Sequence, residues 1–277
     1  MKKINLFIAL VMLVGSTIVF TSCKKDSEST AVDTSSASDE TLADRIYENV
    51  SNISDEAYAL KSSNLKSTET NRLFLGDCAV ITLDTLAFPL TMTIDFGEEN
   101  CLCDDGHYRR GQIQVSFTGR YRAEGTVITH GFNNYFVDDN RVEGTKVVTN
   151  MGLNTDSHFV YQIEVVGVIF LANTDDSFSW NSSRTREWVE GADTYTLWDD
   201  VYLISGNSEG VRADGETWQR ITLEPLRKEL GCRHIVSGII EITPAERPIR
   251  TLDYGSGDCD NVATVTVNGV IYTIMLP

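Results

Sequence analysis

The chain has 277 residues, of which 42% are hydrophobic, and its 40 acidic and 23 basic side chains give a net charge of −17. This apolar content is enough to build a packed core, so the chain is neither a disordered tail nor a coiled coil. The acidic balance argues against a nucleic-acid-binding protein, because that affinity comes from Lys and Arg clustered against phosphates.

The N-terminus has the pattern of an export signal. Two lysines follow Met1, an apolar run extends from Ile4 to Phe20, and a cysteine follows at position 23. A membrane-spanning helix is the alternative, since about 17 residues lie at the lower limit for crossing a bilayer. The segment resembles a bacterial lipoprotein signal, with Phe20 where Leu is usual. The resemblance implies that residues 1–22 are removed and that Cys23 carries a lipid.

Two segments separate Cys23 from the first predicted strand. Residues 23–39, rich in Ser, Thr, Ala and Asp, are predicted to form a flexible tether. Residues 40–66 are predicted to be helical, because apolar side chains from Leu42 to Leu60 recur every three or four positions. We expect this stripe to pack on the domain, and binding to a partner is the alternative.

The remainder, residues 73–277, is predicted to be an all-β domain. Runs of Val, Ile, Thr, Tyr and Phe recur between clusters of Gly, Asn and Asp, as in antiparallel strands. We expect a β-sandwich or a wrapped meander sheet made of two related halves, with a duplicated module at about 78–150 and about 232–277. Asn268-Gly269 and Asp138-Asp-Asn140 each lie between two such runs and predict hairpins.

The duplication is visible as an internal repeat. Thr93–Cys101 and Thr251–Cys259 share Thr, Asp, Gly and Cys at the same spacing. Continued without a gap, the alignment also superimposes the Gly-x-Ile sequences that begin at residues 111 and 269. The repeat therefore predicts that a strand after the second cysteine is equivalent in the two copies.

The cysteines are placed to form disulfides. A hairpin in each copy returns the second cysteine beside the first, and an exported protein can oxidise them. We predict bonds between Cys78 and Cys101 and between Cys232 and Cys259, each worth roughly 3 kcal/mol on the loop-entropy account. Cys103 is left over and competes with Cys101, and unpaired buried thiols are the alternative to both bonds.

Metal binding is another interpretation of the same segments. Cys101, Cys103 and His107 lack the usual spacing of a zinc site. Four aspartates follow or flank the second cysteine of the two copies, without the spacing of an EF-hand: Asp104, Asp105, Asp258 and Asp260. Turn formation accounts for the Asp and Gly residues there, so we expect no cofactor and keep calcium as the alternative.

One segment matches a catalytic motif. Gly206–Gly210 satisfies Gly-x-Ser-x-Gly, in which a serine nucleophile lies on a turn between a strand and a helix, and Asp214 and His234 would complete the order Ser, Asp, His. Because another turn follows instead of a helix, we predict no catalytic residue. Acidic pairs such as Asp175-Asp176 and Asp199-Asp200 keep a glycan hydrolase as an alternative.

An aromatic and basic stretch is the candidate ligand-binding site. Strand alternation puts Trp180, Arg184, Arg186 and Trp188 on one face, and Trp198 follows shortly after. Such a face can stack on sugar rings or receive an extended peptide. The alternative is a sheet core in which Arg stems cover the Trp rings, which is the commoner environment of Trp.

The sequence also resembles a group of bacterial surface proteins. The arrangement of Thr93-Ile-Asp-Phe-Gly97, Cys101 and Arg110-Gly-Gln-Ile113, together with the signal and the acidic tether, resembles uncharacterised outer-membrane lipoproteins of Bacteroidota. Lys24 stands where an Asp would retain an enteric lipoprotein in the inner membrane, which agrees with outer-membrane delivery. The resemblance implies a lipid anchor on the periplasmic side or at the cell surface, and no activity.

We therefore hypothesise a non-catalytic binding or adhesion module of the cell envelope that recognises a glycan or an extended peptide. The first alternative is a structural or assembly component of an outer-membrane protein complex, which predicts an exposed strand edge or apolar patch. The second is the glycan hydrolase, which requires two carboxylates facing each other across a cleft.

Overall fold

A computed structural model describes residues 35–62, 74–86, 88–194, 196 and 198–276 of the chain. These residues form one helix, α1 (Ser35–Ser62), and fourteen strands. The predicted export signal, Cys23 and the predicted tether up to residue 34 lie outside the described residues. No helix among the described residues is both long and apolar enough to cross a membrane.

The strands form one antiparallel sheet that follows the chain order. They are β1 Val80–Asp84, β2 Leu90–Asp95, β3 Cys101–Leu102, β4 Tyr108–Phe117, β5 Val127–Val137, β6 Asn140–Leu153, β7 Phe159–Phe170, β8 Ser177–Glu190, β9 Val201–Arg212, β10 Thr217–Glu229, β11 Ile235–Pro244, β12 Arg250–Ser256, β13 Val262–Val267 and β14 Val270–Met275. Each strand pairs with the next, except that β2 pairs with β4 and β3 pairs only with β4. The sheet is not closed, because β1 and β14 are its two edges. The prediction of an antiparallel, all-β meander with an N-terminal helix is confirmed.

The inner face of the sheet is covered by α1. Val50, Ile53 and Ala57 have no exposed surface and Ile46 is buried, so the predicted apolar stripe packs on the domain. Burial alternates along β8, whose even-numbered residues from 178 to 188 are all buried. Alternate side chains of the long central strands therefore pack against the apolar side chains of the helix in a single core.

The helix begins earlier than the sequence predicted. Ser35–Asp39, assigned to the tether, form its first turns, and Ser36 and Asp39 are buried. Asp39 forms an ion pair with Arg212 of β9 at 3.0 Å. The polar composition of this segment alone favours a solvated linker. Its burial and the ion pair between Asp39 and Arg212 instead hold these residues in a helix.

Two glycines of the sheet leave room for the aromatic core. A Cβ atom at Gly167 would lie 1.8 Å from the Tyr47 hydroxyl, and one at Gly210 would lie 2.0 Å from the Trp218 ring. Both glycines are register partners of Trp180, on β7 and β9. Tyr47 can therefore stack on Trp180, with ring centroids 5.4 Å apart.

Both predicted disulfides are present. Cys78 is bonded to Cys101 and Cys232 to Cys259, with Cα atoms 5.6 and 5.7 Å apart. Cys103 is a free, buried thiol. Each disulfide anchors the connection that follows β2 or β12 to the segment that precedes β1 or β11.

The repeated Thr-x-Asp-x-Gly sequence forms the same turn twice. Asp95 Oδ1 accepts a hydrogen bond from the Gly97 amide at 2.9 Å, and Asp253 Oδ1 accepts one from the Gly255 amide at 2.8 Å. Positive φ angles of 81° and 95° explain the glycines. Turn formation accounts for these two aspartates.

The predicted equivalence of the two copies ends at the second cysteine. Ile113 of β4 pairs with Ile94 of β2 and is fully buried. Its aligned partner Ile271 lies in β14, pairs with Thr266 of β13 and is 68% exposed. The ungapped alignment was wrong here because the second copy places an additional long strand, β13, directly beside β12.

Candidate functional site

The predicted aromatic site lies mostly in the interior. Trp180 and Trp188 are 1% and 4% exposed, and Arg184 and Arg186 are also buried, whereas Trp198 is 46% exposed in the connection before β9. The prediction that the first four share one face is correct. They form no exposed aromatic surface, because α1 packs against Trp180, Arg184 and Arg186, and other side chains, such as Tyr121 and Arg122, pack on Trp188.

A buried glutamate of α1 collects hydrogen bonds from three strands. Glu40 is fully buried, and its Oε2 accepts bonds from the indoles of Trp180 at 2.8 Å and Trp218 at 3.0 Å. Its Oε1 accepts bonds from the Ser208 hydroxyl at 2.5 Å and from Arg184 at 3.3 Å. We call these five residues the Glu40 cluster. Four donors satisfy the carboxylate, so the cluster holds α1 against β8, β9 and β10.

The serine of the Gly-x-Ser-x-Gly motif belongs to this cluster. Ser208 is in the middle of β9 and is 4% exposed. It does not lie on a turn between a strand and a helix, and its hydroxyl is directed at Glu40. The motif is therefore part of the helix attachment and does not present a nucleophile.

Further ion pairs join the acidic helix to the basic inner face of the sheet. Asp44 pairs with Arg184. Glu48 lies 3.5 Å from Arg186 and 4.0 Å from Lys146. Burial alone would disfavour these charges, and their pairing reduces that cost. Lys146 and Arg186 together hold the pKa of Glu48 below its ordinary value despite its burial.

Next to the Glu40 cluster is a pocket between α1 and strands β9 to β12. Its volume is about 90 Å³. It is lined by helix residues, by residues of the sheet and of the connection before β11, and by one near the C-terminus: Thr41, Asp44, Arg45, Glu48, Asn49, Arg184, Ile204, Leu226, Lys228, Arg233, His234, Ile235, Tyr254 and Leu276. We refer to it as the helix–sheet pocket. It combines an apolar wall with charged side chains, which is the composition of many ligand sites.

Lys228 is a buried cation of this pocket that has no side-chain partner in the part of the chain that the structure describes. The residue is 6% exposed, and its Nζ donates hydrogen bonds to the carbonyls of Cys232 at 2.5 Å and His234 at 3.4 Å. Among the described residues no carboxylate lies within salt-bridge distance of it. Burial lowers the pKa of Lys228 to about 8, and the opposing attraction of Glu48 is smaller.

The remaining sequence-based candidates do not converge on a reactive site. Asp105 forms a buried ion pair with Arg109 at 2.5 Å. Asp200 is buried, accepts a hydrogen bond from Tyr202 at 3.1 Å, and has a pKa raised to about 6 by burial. Across the part of the chain that the structure describes, no three His, Cys, Asp or Glu side chains are placed to hold a metal ion.

Sequence reasoning missed Glu40 and Lys228. Glu40 follows a run of small polar residues, and Lys228 lies in a strand of mixed charge, so neither stands out locally. The sequence did offer one signal: the predicted helix is acidic, and the segment that forms β8 carries Arg184 and Arg186, which could pair with it. Comparisons with protein families, curated proteins and solved structures found no match.

Proposed function

We propose that the protein is an exported, lipid-anchored, non-catalytic binding protein of the cell envelope whose ligand lies in the helix–sheet pocket. The export and anchoring parts rest on residues 1–22 and Cys23 of the sequence. The binding part rests on the pocket, where an apolar wall meets a buried cation that lacks a carboxylate partner.

The pocket also changes the expected ligand. A cavity of about 90 Å³ holds a molecule of a few non-hydrogen atoms, whereas a glycan or an extended peptide needs a longer groove. The aromatic face that would have served those larger ligands is occupied by α1. A small molecule is therefore the ligand class that the pocket supports.

A ligand screen tests the binding part. The full chain, purified in detergent, would be screened against a library of small metabolites by thermal shift, and hits would be titrated by calorimetry. A ligand that binds the folded state raises its melting temperature in proportion to the logarithm of its concentration. We expect saturable hits in the wild-type protein.

Two matched variants locate the binding. Ile235→Phe adds a ring at the pocket wall, whereas Val166→Phe adds the same ring on the outer face of β7, where Val166 is 67% exposed. We expect hits to be lost in Ile235→Phe and retained in Val166→Phe. An absence of hits, or hits that persist when the pocket is filled, would contradict the proposal.

The anchor is tested by metabolic labelling. Cys23→Ser should abolish incorporation of labelled palmitate and release the protein from the outer-membrane fraction. Cys103→Ser is the control, since Cys103 is buried in the domain, and it should label like the wild type. Labelling that survives Cys23→Ser would refute the anchor.

The edge strand β14 favours a second candidate function, a structural component that pairs with an extended strand of another envelope protein. β14 has no charged residue, and Val270, Ile271 and Met275 are 52%, 68% and 64% exposed. Natural proteins usually protect such an edge, because its free backbone groups recruit other strands. A photo-crosslinker at position 271 should capture one discrete partner in cells, and the same group at position 166 should not.

A further inference from the structure

The lining of the helix–sheet pocket has the opposite charge balance to the chain as a whole. The lining contains four basic side chains, Arg45, Arg184, Lys228 and Arg233, and two acidic ones, Asp44 and Glu48. The chain has 40 acidic and 23 basic residues. A basic pocket in an acidic protein concentrates positive potential where the walls exclude water, which favours an anion there.

Both acidic side chains of the lining already have cationic partners. Asp44 pairs with Arg184, and Glu48 lies near Arg186 and Lys146, neither of which lines the pocket. The acids therefore do not neutralise Lys228 by direct pairing. Among the basic lining residues, Arg184 pairs with Asp44 and Glu40, and Arg45 pairs with Asp138. The positive charge of Lys228 has no such partner among the residues described and contacts only neutral carbonyl oxygens.

Hydrogen-bonding capacity remains as well. The ammonium of Lys228 has three donors and two carbonyl acceptors. The Nε atoms of Arg184 and Arg45 are buried without a hydrogen-bond partner. An unpaired buried donor is costly, and an acceptor bound in the pocket would remove that cost.

The apolar wall argues for an organic ion. Ile204, Leu226, Ile235 and Leu276 line the pocket beside the charged groups. An inorganic phosphate would satisfy the donors and leave this wall in contact with water. A carboxylate with a short apolar chain satisfies both, and a volume of about 90 Å³ accommodates about six to nine water-sized groups, enough for a chain of a few carbon atoms.

From these observations we infer that the helix–sheet pocket binds a small organic carboxylate, with the carboxylate beside Lys228 and Arg184 and the chain against Leu226. The inference rests on the proposed binding function and adds the chemical class of the ligand. It requires no covalent step and no change in the fold.

The test compares molecules with the same four-carbon chain that differ in charge. Butanoate, butanamide and butan-1-ol would each be titrated into the full chain by calorimetry. We expect butanoate to bind at least about tenfold more tightly than either neutral analogue, since a hydrogen bond between charged groups is stronger than a neutral one. Inorganic phosphate serves as the anion without an apolar chain, and we expect it to bind more weakly than butanoate.

Two further measurements assign the binding to Lys228. Lys228→Met should weaken butanoate binding by about tenfold or more, and Lys61→Met, at the exposed end of α1, should not change it. If Lys228→Met does not fold, the side-chain ¹⁵Nζ resonance of Lys228 in the wild type takes its place. It should shift on addition of butanoate and stay unchanged with butanamide.

The outcomes separate this inference from the proposed function. Equal binding of butanoate, butanamide and butan-1-ol would overturn the inference and leave a small-molecule pocket. Phosphate binding without butanoate binding would also overturn it. If neither these probes nor any library compound binds, both the inference and the proposed binding function are overturned.

Discussion

The Glu40 cluster and the helix–sheet pocket are neighbouring charged regions of the same interior, and they share Arg184. In the cluster a buried carboxylate receives four hydrogen bonds from side chains. In the pocket a buried ammonium donates to no side chain of the described residues, and it donates hydrogen bonds to two backbone carbonyls beside an open volume. One region is complete without a ligand, and the other is not.

Buried charges in these two regions therefore fall into two kinds, those whose partners are complete and those that face a cavity. A buried ion with all of its partners serves attachment, because removing any partner leaves another charge unpaired. A buried ion that faces a cavity without a directly paired opposite charge is costly in the free protein, and such costs are common where a ligand binds. Variants should therefore separate stability from binding.

The largest effect is expected at the centre of the complete cluster. Glu40→Ala leaves Arg184 without one of its two acidic partners and the two indole N–H groups without acceptors. We expect the free energy of unfolding to fall by about 3–5 kcal/mol, measured by urea denaturation. Glu164→Ala, on the exposed face of β7, should stay within about 0.5 kcal/mol of the wild type. Equal losses of stability in Glu40→Ala and Glu164→Ala would contradict the structural role of the Glu40 cluster.

Asp200 extends the comparison to a buried charge that has neither a full set of partners nor a place in the pocket lining. Its pKa is raised from 3.8 to about 6, so the folded state disfavours the charged form and loses stability as pH rises from about 4 to 6. Asp200→Asn should therefore be more stable than the wild type by about 2 kcal/mol at pH 8 and equal to it below pH 4.

Thermal unfolding at both pH values would measure this gain. Asp199→Asn is the control, because Asp199 is exposed and accepts a hydrogen bond from Thr194. It should show no such pH-dependent gain. A gain for Asp200→Asn that persists at pH 4 would mean that the effect does not come from titration.

A smaller effect is expected for a single donor of the cluster. Ser208→Ala removes one hydrogen bond to Glu40 and leaves three. We expect a loss of about 1–2 kcal/mol in urea denaturation, because the bond is to a charged group. Ser183→Ala, next to it on the outer side of the sheet, should cost less than about 1 kcal/mol. A neutral result at Ser208 would argue that the cluster is less constrained than its distances indicate.

The smallest effect on stability is expected in the pocket. Lys228→Met removes a buried charge and also two hydrogen bonds to carbonyls, and these terms oppose each other. We expect the free energy of unfolding to change by less than about 1 kcal/mol, even though butanoate should bind more weakly by about tenfold or more. A loss as large as that of Glu40→Ala would instead place Lys228 with the structural ions.

Local signals account for what was predicted well. Asn268-Gly269 and Asp138-Asp139 adopt the positive φ angles of tight hairpins, because these residue types tolerate them. The paired cysteines lie at the open ends of the β1–β2 and β11–β12 hairpins, so antiparallel pairing brings them together. The Asp-x-Gly turns need only the Asp side chain and its own backbone.

Non-local contacts account for what was missed. The sequence pattern placed Trp180, Arg184, Arg186 and Trp188 on one face but did not show what covers that face. Glu40 lies 140 residues from Trp180 and 178 from Trp218, so no local window contains their contact. The start of α1 was missed because Asp39 is ordered by a distant arginine.

The sequence by itself determined an antiparallel β chain with an N-terminal helix, its hairpins and its two disulfides, because turn chemistry and side-chain alternation act over a few residues. Only the tertiary structure decided that the aromatic and basic face is interior, that the acidic helix lies on it, and that a pocket remains beside Lys228. The physical reason is that burial and charge pairing depend on which distant segments meet, and the meander brings them together only when the whole sheet has wrapped around the helix.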